Sequence, residues 1–157
     1  MARYMRRGKS RIYWFPAANR PANLNAPTLL EFLNAVDISC EIRAVNGIDL
    51  NARPVNVSTL NSPYGRSIAG VTPPPAIGLE FYDEDDDSSV ARPLLGLGVT
   101  GVLVLAPYGE PAAGDRLVVY DAESAGPSDR WAIGATAASL VIGLTATGTY
   151  PNASVTV

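Results

Sequence analysis

Three stretches of this chain hold residue types at spacings that invite chemistry. Gly96-Leu97-Gly98-Val99-Thr100-Gly101 has the glycine spacing of a dinucleotide-binding turn. Such a turn works only when a helix N-terminus follows it and turns backbone amides onto a pyrophosphate. Here Val102-Leu103-Val104-Leu105 and then Pro107 follow, which reads as a glycine turn entering a strand. Asp83-Glu84-Asp85-Asp86-Asp87 sets carboxylates at alternate positions, like the start of a calcium loop. An EF-hand loop needs Gly at its sixth position and a bidentate Glu at its twelfth. Those positions hold Ser88 and Leu94, so the stretch reads as a solvated acidic turn, with weak adventitious cation binding as the alternative. The third stretch, Arg3 to Trp14, interleaves Arg6, Arg7, Lys9 and Arg11 with Tyr4, Tyr13 and Trp14. Charge on phosphate and rings on bases would suit nucleic acid. The same aromatics equally suit a core or a subunit contact, and the same arm suits an acidic protein surface.

Composition narrows the chemistry further. The 157 residues contain no histidine, which removes Ser-His-Asp triads, Cys-His pairs and every His-ligated zinc site. One cysteine, Cys40, excludes an internal disulfide and a multi-cysteine metal cluster, and its apolar neighbours make it a small core residue by expectation. No pair of carboxylates stands out for acid–base work, so an enzyme ranks last and no cofactor or metal is expected. The net charge of −3 names no partner. Its distribution is more telling, because five bases crowd the first eleven positions and six acids lie between Glu80 and Asp87. Ile12 to Pro16 is too short and aromatic for a signal-peptide core. The weakly polar run Ala132–Ala146 is too short for a membrane span, so the product is expected to be cytosolic when made.

The elements that must position these residues are mostly strands. At this length one domain is expected, able to bury roughly 70% of its unfolded surface. Fourteen Gly and thirteen Pro call for frequent turns and few helices. After a polar arm over 1–11, Arg11–Phe15 reads as a strand and Ala17–Pro27 as loop. Thr28-x-x-Glu31 is a capping box, which predicts two helical turns over Thr28–Ala35. Cys40–Val45 alternates as a strand. Asn46–Ile77, rich in Gly and Pro, reads as a long extended excursion or loose hairpin. Gly78–Tyr82 is a strand running into the acidic turn, and Ser88 or Ser89 would cap a short helix over Val90–Leu95 that Pro93 keeps brief. Val99–Ala106 and Asp115–Ala122 are the clearest strands, joined by a hairpin connection. Arg130–Ala135, Ala138–Thr147 and Asn152–Val157 supply the rest. The expected fold is mainly β, a β-sandwich or small barrel of seven or eight strands with one or two short flanking helices.

The order of features carries a resemblance. Arg6-Arg7-Gly8-Lys9 precedes Ile12-Tyr13-Trp14 and Pro16. Ala26-Pro27-Thr28 with Glu31, Asp37-Ile38, Ile42, Ile48, and Ile68 with Gly70 follow. Leu79, Phe81-Tyr82 and the acidic turn, Arg92 with Leu94-Leu95, Gly98 with Gly101, and Pro111 with Gly114-Asp115 complete the set. To about Val119 this resembles the major tail (tail tube) proteins of long, non-contractile-tailed bacteriophages of actinobacteria. The alanine- and threonine-rich last third and the triple proline at 73–75 depart from that pattern.

The resemblance implies a structural virion protein without catalysis or cofactor. It implies hexameric rings whose strands close into one β-barrel around a lumen. Rings would stack on a tape-measure protein, with tail terminator and tail-tip proteins as further partners, and phage DNA would pass without specific binding. Expected assembly contacts are Arg6, Arg7, Lys9 and Trp14 at the arm, Asp83, Asp85 and Asp87 in the acidic turn, and Pro54, Tyr64 and Arg66 in the excursion. Opposite charges on stacked identical subunits can fix register. A conduit should repel DNA weakly, and Glu41, Glu80, Asp115 and Asp121 are the expected lumen acids. Two alternatives stand beside this one: another virion β-sandwich subunit (tail terminator, decoration or inner-tube protein), and a monomeric β-sandwich module binding nucleic acid or carbohydrate.

Overall fold

A computed structural model describes residues 9–48, 54–57, 66–69, 75–82, 90–130 and 139–157; for 54–57, 66–69 and 130 it describes the backbone alone. The strands are β1 (Arg11–Pro16), β2 (Val36–Asp37), β3 (Ile42–Asn46), β4 (Pro54–Val57), β5 (Arg66–Ala69), β6 (Ala76–Tyr82), β7 (Thr100–Ala106), β8 (Arg116–Arg130) and β9 (Ser139–Ser154), with helices α1 (Leu29–Phe32) and α2 (Ala91–Leu94). Seven strands form one antiparallel sheet in the order β2-β1-β7-β8-β9-β6-β3, curled into a half-barrel. β4 and β5 pair as an antiparallel hairpin inside the 46–77 excursion. The mainly β class with short helices is as expected.

Period-two alternation divides the apolar residues between two cores. Inside the curl lie Trp14 of β1, Leu103 of β7, Tyr120 of β8, Leu140 and Ile142 of β9, and Leu79 and Phe81 of β6. Ala91 and Leu95 of the α2 segment join them. Outside the curl a second core covers only the β1-β7-β8 side, from Tyr13, Phe15, Val102, Val104, Leu117 and Val119. Leu24, Leu29, Phe32 and Val155 close it over, and the Phe32 ring stands edge-on to both Tyr13 and Phe15 at 5.3 Å. Each fully buried Leu, Ile or Phe contributes roughly 1.5–3 kcal/mol relative to its exposed state.

Gly101 fixes the tightest point of this packing. It pairs with Pro16 across the β1–β7 ladder. A Cβ there would strike the Trp14 ring and sit 2.6 Å from the Phe15 carbonyl oxygen. Trp14 is wholly buried, and its Nε1 has no hydrogen-bond partner among the described residues, so shape alone holds the ring.

Several elements differ from expectation. The capping box forms: Glu31 N–H donates to Thr28 Oγ1 at 3.4 Å, and Thr28 N–H donates to Glu31 Oε2 at 2.7 Å. The helix it starts nevertheless has four residues, because the chain must turn at once to lay Val36-Asp37 on β1. Cys40 is exposed rather than buried; Ile38 takes the core position, and β3 begins only at Ile42. The N-cap of α2 is Val90, with no side-chain cap, instead of Ser88 or Ser89, which lie outside the described residues. β8 runs through to Arg130 and β9 to Ser154, where shorter separate strands were expected. Three register shifts and Gly126 at φ 90° absorb the interruptions, so Gly126-Pro127 bends the strand without ending it. Of the expected strand over Arg130–Ala135, residues 131–135 lie outside the described residues.

Gly101→Ala should cost about 2–3 kcal/mol by overpacking against Trp14, read as a lower urea midpoint with unchanged slope. Thr28→Ala should cost about 1 kcal/mol. Glu31 gives a pH signature. Burial opposes its ionisation, but hydrogen bonds from the Ala22 and Thr28 backbones and the Thr28 side chain outweigh this and hold its pKa below the ordinary value. Its stabilisation is therefore present above the unfolded glutamate pKa, about 4.3, and lost as pH falls through the lower folded value. The stability gap between the native chain and Glu31→Gln should narrow on acidification below about pH 4.

Candidate assembly surfaces

The two cores leave half of the sheet covered on one side only. On β3, β6, β9 and the second half of β8, the inner face meets the core within the curl, while the outer face has no layer over it among the described residues. Cross-strand pairs put Gly78 beside Gly143, Glu80 beside Val141, Ala76 beside Thr145, and Thr145 beside Glu123. Ala125 lies against Gly143 on the same side. Small residues, threonines and a few charges make this outer face flat and polar.

Its charges are largely matched. Arg43 lies 3.5 Å from Glu80 and 5.9 Å from the centre of the Tyr82 ring. Arg20 donates two hydrogen bonds to Asp121, at 2.8 and 3.2 Å. The Asp121 carbonyl also accepts from the Thr147 hydroxyl at 3.2 Å. Glu123 stands exposed two residues further along the same face of β8. No group of three or more Cys, Asp or Glu among the described residues could hold a metal ion.

The expected assembly contacts are only partly placed. Arg6, Arg7, Tyr64, Asp83, Asp85 and Asp87 lie outside the described residues. Lys9 is exposed in a turn leading into β1. Trp14 is corrected: its ring fills the subunit's own inner core and offers nothing to a neighbour. Pro54 and Arg66 open the two strands of the β4–β5 hairpin, at opposite ends of its ladder. Among the expected acids, Glu80 lies on the open face and Asp121 at its border with the covered half, beside Val102, and each is paired with an arginine. Glu41 sits before β3, its carbonyl accepting from Tyr82 N–H at 3.1 Å. Asp115 caps a turn by accepting from Ala112 N–H at 2.9 Å. Glu123, Arg43 and Arg20 were missed. The alternation of β8 pairs Glu123 with Asp121 and so was a usable signal; nothing local marks Arg20, 101 positions from its partner.

A family model described as phage tail tube protein matches residues 1–157. No curated protein matches the chain.

Proposed function

Because the chain belongs to the phage tail tube protein family, we propose that it is the repeating subunit of a phage tail tube, whose hexameric rings stack on a tape-measure protein into a hollow conduit for the genome. The family match along the whole chain carries this reading. The family is a structural one, and its place is the tail of the virion. Residues 1–157 act as one tail tube domain, assembled in the host cytoplasm beside tail terminator and tail-tip proteins. An actinobacterial host and a long, non-contractile tail belong to the same reading, on the resemblance of residues 6–119.

The open face of the sheet is the surface proposed to line the lumen. A conduit wall needs small, hydrated residues and no exposed bases that would bind phosphate and stall transit. Gly78, Gly143, Ala125 and Thr145 supply the first, and the pairing of Arg43 and Arg20 with carboxylates supports the second. The wall is thus charge-balanced around Glu80 and Asp121, with Glu123 as its exposed acid, rather than lined by four free acids.

Stacking is assigned to the charged and irregular segments. Arg6, Arg7 and Lys9 face Asp83, Asp85 and Asp87 of an adjacent ring, and the 46–77 excursion, with Pro54, Tyr64 and Arg66, reaches across. Identical subunits with opposite charges at two distinct sites stack in one orientation.

Negative-stain electron microscopy of the concentrated protein should show tubes or stacked rings with a central channel and a regular axial repeat. Monomers alone, even with tape-measure and tail-tip proteins co-expressed, would remove the reading. A DNA duplex titrated at about 150 mM salt should stay unbound; tight, salt-sensitive binding by a monomer would favour the binding module. Deleting residues 58–65 should leave rings but abolish long tubes. Normal polymerisation of that variant would remove the inter-ring role of the excursion.

A further inference from the structure

We infer that the apolar cleft at one end of the curl is the seat of the chain's own Met5, which folds back past Ser10 and plugs the mouth of the inner core. The plug concerns a single subunit. What it does for the basic arm rests on the reading of the chain as a tube subunit.

Where β1 begins and β7 ends, the inner core is left uncapped among the described residues. Ile12, Val45, Ile48 and Leu105 pack against that core yet stay partly exposed. Together with Ala106 and Pro107 they line a cleft of about 140 Å³. Its shape is held from below. Tyr120, buried in the inner core, donates its hydroxyl to the Ile48 carbonyl at 3.2 Å. Gly47, one residue earlier, has φ 76°, and a Cβ there would collide with the Ala76 carbonyl, so the backbone entering Ile48 is also fixed. A preformed apolar space of this size takes one large side chain, as an apolar cavity of about 150 Å³ takes benzene.

The occupant follows from where the described chain stops. Ser10 and Arg11 form one wall of the cleft, and the Ser10 hydroxyl donates to the Pro107 carbonyl at 3.3 Å. Lys9 lies against the β7–β8 turn, where a Cβ on Gly109 would stand 3.5 Å from the Lys9 carbonyl oxygen. Met1 to Gly8 precede this point and lie outside the described residues. From Ser10 back to Met5 the chain can span up to about 17 Å, ample for a return to a cleft that Ser10 itself borders. Gly8 supplies the reversal, since glycine enters the φ > 0 conformations that tight turns need.

Side-chain chemistry selects the residue. Within Arg3-Tyr4-Met5-Arg6-Arg7, Tyr4 and Met5 alone can enter an apolar space. Met5 is unbranched and adapts to an irregular gap, whereas a buried Tyr ring would need a partner for its hydroxyl. With Met5 seated, Arg3, Arg6 and Arg7 stay in water near Glu110, which is exposed in the β7–β8 connection. The plug thereby holds Arg6 and Arg7 at one end of the subunit, where they meet the acidic turn of another ring with less ordering entropy to lose.

Met1 and Met5 are the only methionines, so a subunit carrying ¹³C at the methionine methyls gives at most two signals, told apart by Met5→Leu. In the full-length monomer, the Met5 methyl should show nuclear Overhauser contacts to Ile48 and Leu105. Met5→Ser should be cut by trypsin after Arg6 and Arg7 at least about 10-fold faster than the native chain, and Tyr4→Ser within about twofold of it. Contacts from the cleft to Leu50, Tyr4 or Met1 in place of Met5 would overturn the assignment. So would contacts that vanish on dilution, which would make a second copy the occupant, or trypsin rates that Met5→Ser leaves unchanged. None of these readouts needs a tube, so the plug and the tube reading fail separately. Where tubes form, Met5→Ser should raise the protein concentration they require at least about 10-fold. An unchanged threshold would leave the plug in place and remove its role in presenting the bases.

Discussion

The ladder between β8 and β9 is the constraint on which the rest depends. These two strands, 15 and 16 residues long, are the only ones in the described sheet that pass from one half to the other. Their first and last residues, Arg116–Val119 and Tyr150–Ser154, belong with β1 and β7 under α1. Their other ends, Glu123–Arg130 of β8 and Ser139–Thr145 of β9, belong with β6 and β3. A flat pair of that length would not curl, because twist accumulates evenly along a regular ladder. The shifts at Leu117/Val119, Asp121/Ala122 and Ser124/Pro127 concentrate the bend, and the curl they create encloses the inner core.

From this bend follows the unequal dressing of the two halves. The β1-β7-β8 half is packed on both faces, so β7 reads as an unbroken apolar run, Val102-Leu103-Val104-Leu105, with alternate residues serving opposite cores. The β3-β6-β9 half is packed on one face, so its strands carry Gly78, Glu80, Gly143 and Thr145 on the other. Gly101 is the hinge of the packed half: only a bare Cα lets the β1–β7 ladder stay in register while the Trp14 ring passes beneath it.

How much of this was legible follows the same division. β6 was readable from its local alternation and β1 and β7 from short apolar runs bounded by turn residues, and so was the Thr28–Glu31 capping box, whose partners lie three positions apart. β8 was read short, because Gly126 and Pro127 are local stop signals that a neighbouring strand overrides with a bulge. Cys40 was assigned to the core on its neighbours, but the bulge between Ile42 and Ala44 resets the phase of β3, and Ile38 takes the buried position. Trp14 shows the limit of a composition argument. Beside five bases its ring suits a surface role, and only the fold sends it inward. Among the acids, nothing in residue type marked the ion-pair partners of Glu80 and Asp121, since Arg20 arrives from a distant loop.

Those partners change what the open face can do to a polyanion. A row of free carboxylates would set up a repulsive field extending about 10 Å at 0.1 M salt. Carboxylates held against guanidiniums, as at Glu80–Arg43 and Asp121–Arg20, leave short-range dipoles whose fields cancel well inside that distance. Arg20 places two donors on Asp121 and Arg43 lies 3.5 Å from Glu80, so a phosphate competes with a carboxylate for either guanidinium. As the proposed lumen wall, such a face would neither drive DNA away nor hold it. On the proposed reading, a genome sliding past would meet threonine hydroxyls, glycine backbone and hydrated ion pairs, and Glu123, the exposed acid of this face among the described residues, would bias the surface against adhesion without a strong field.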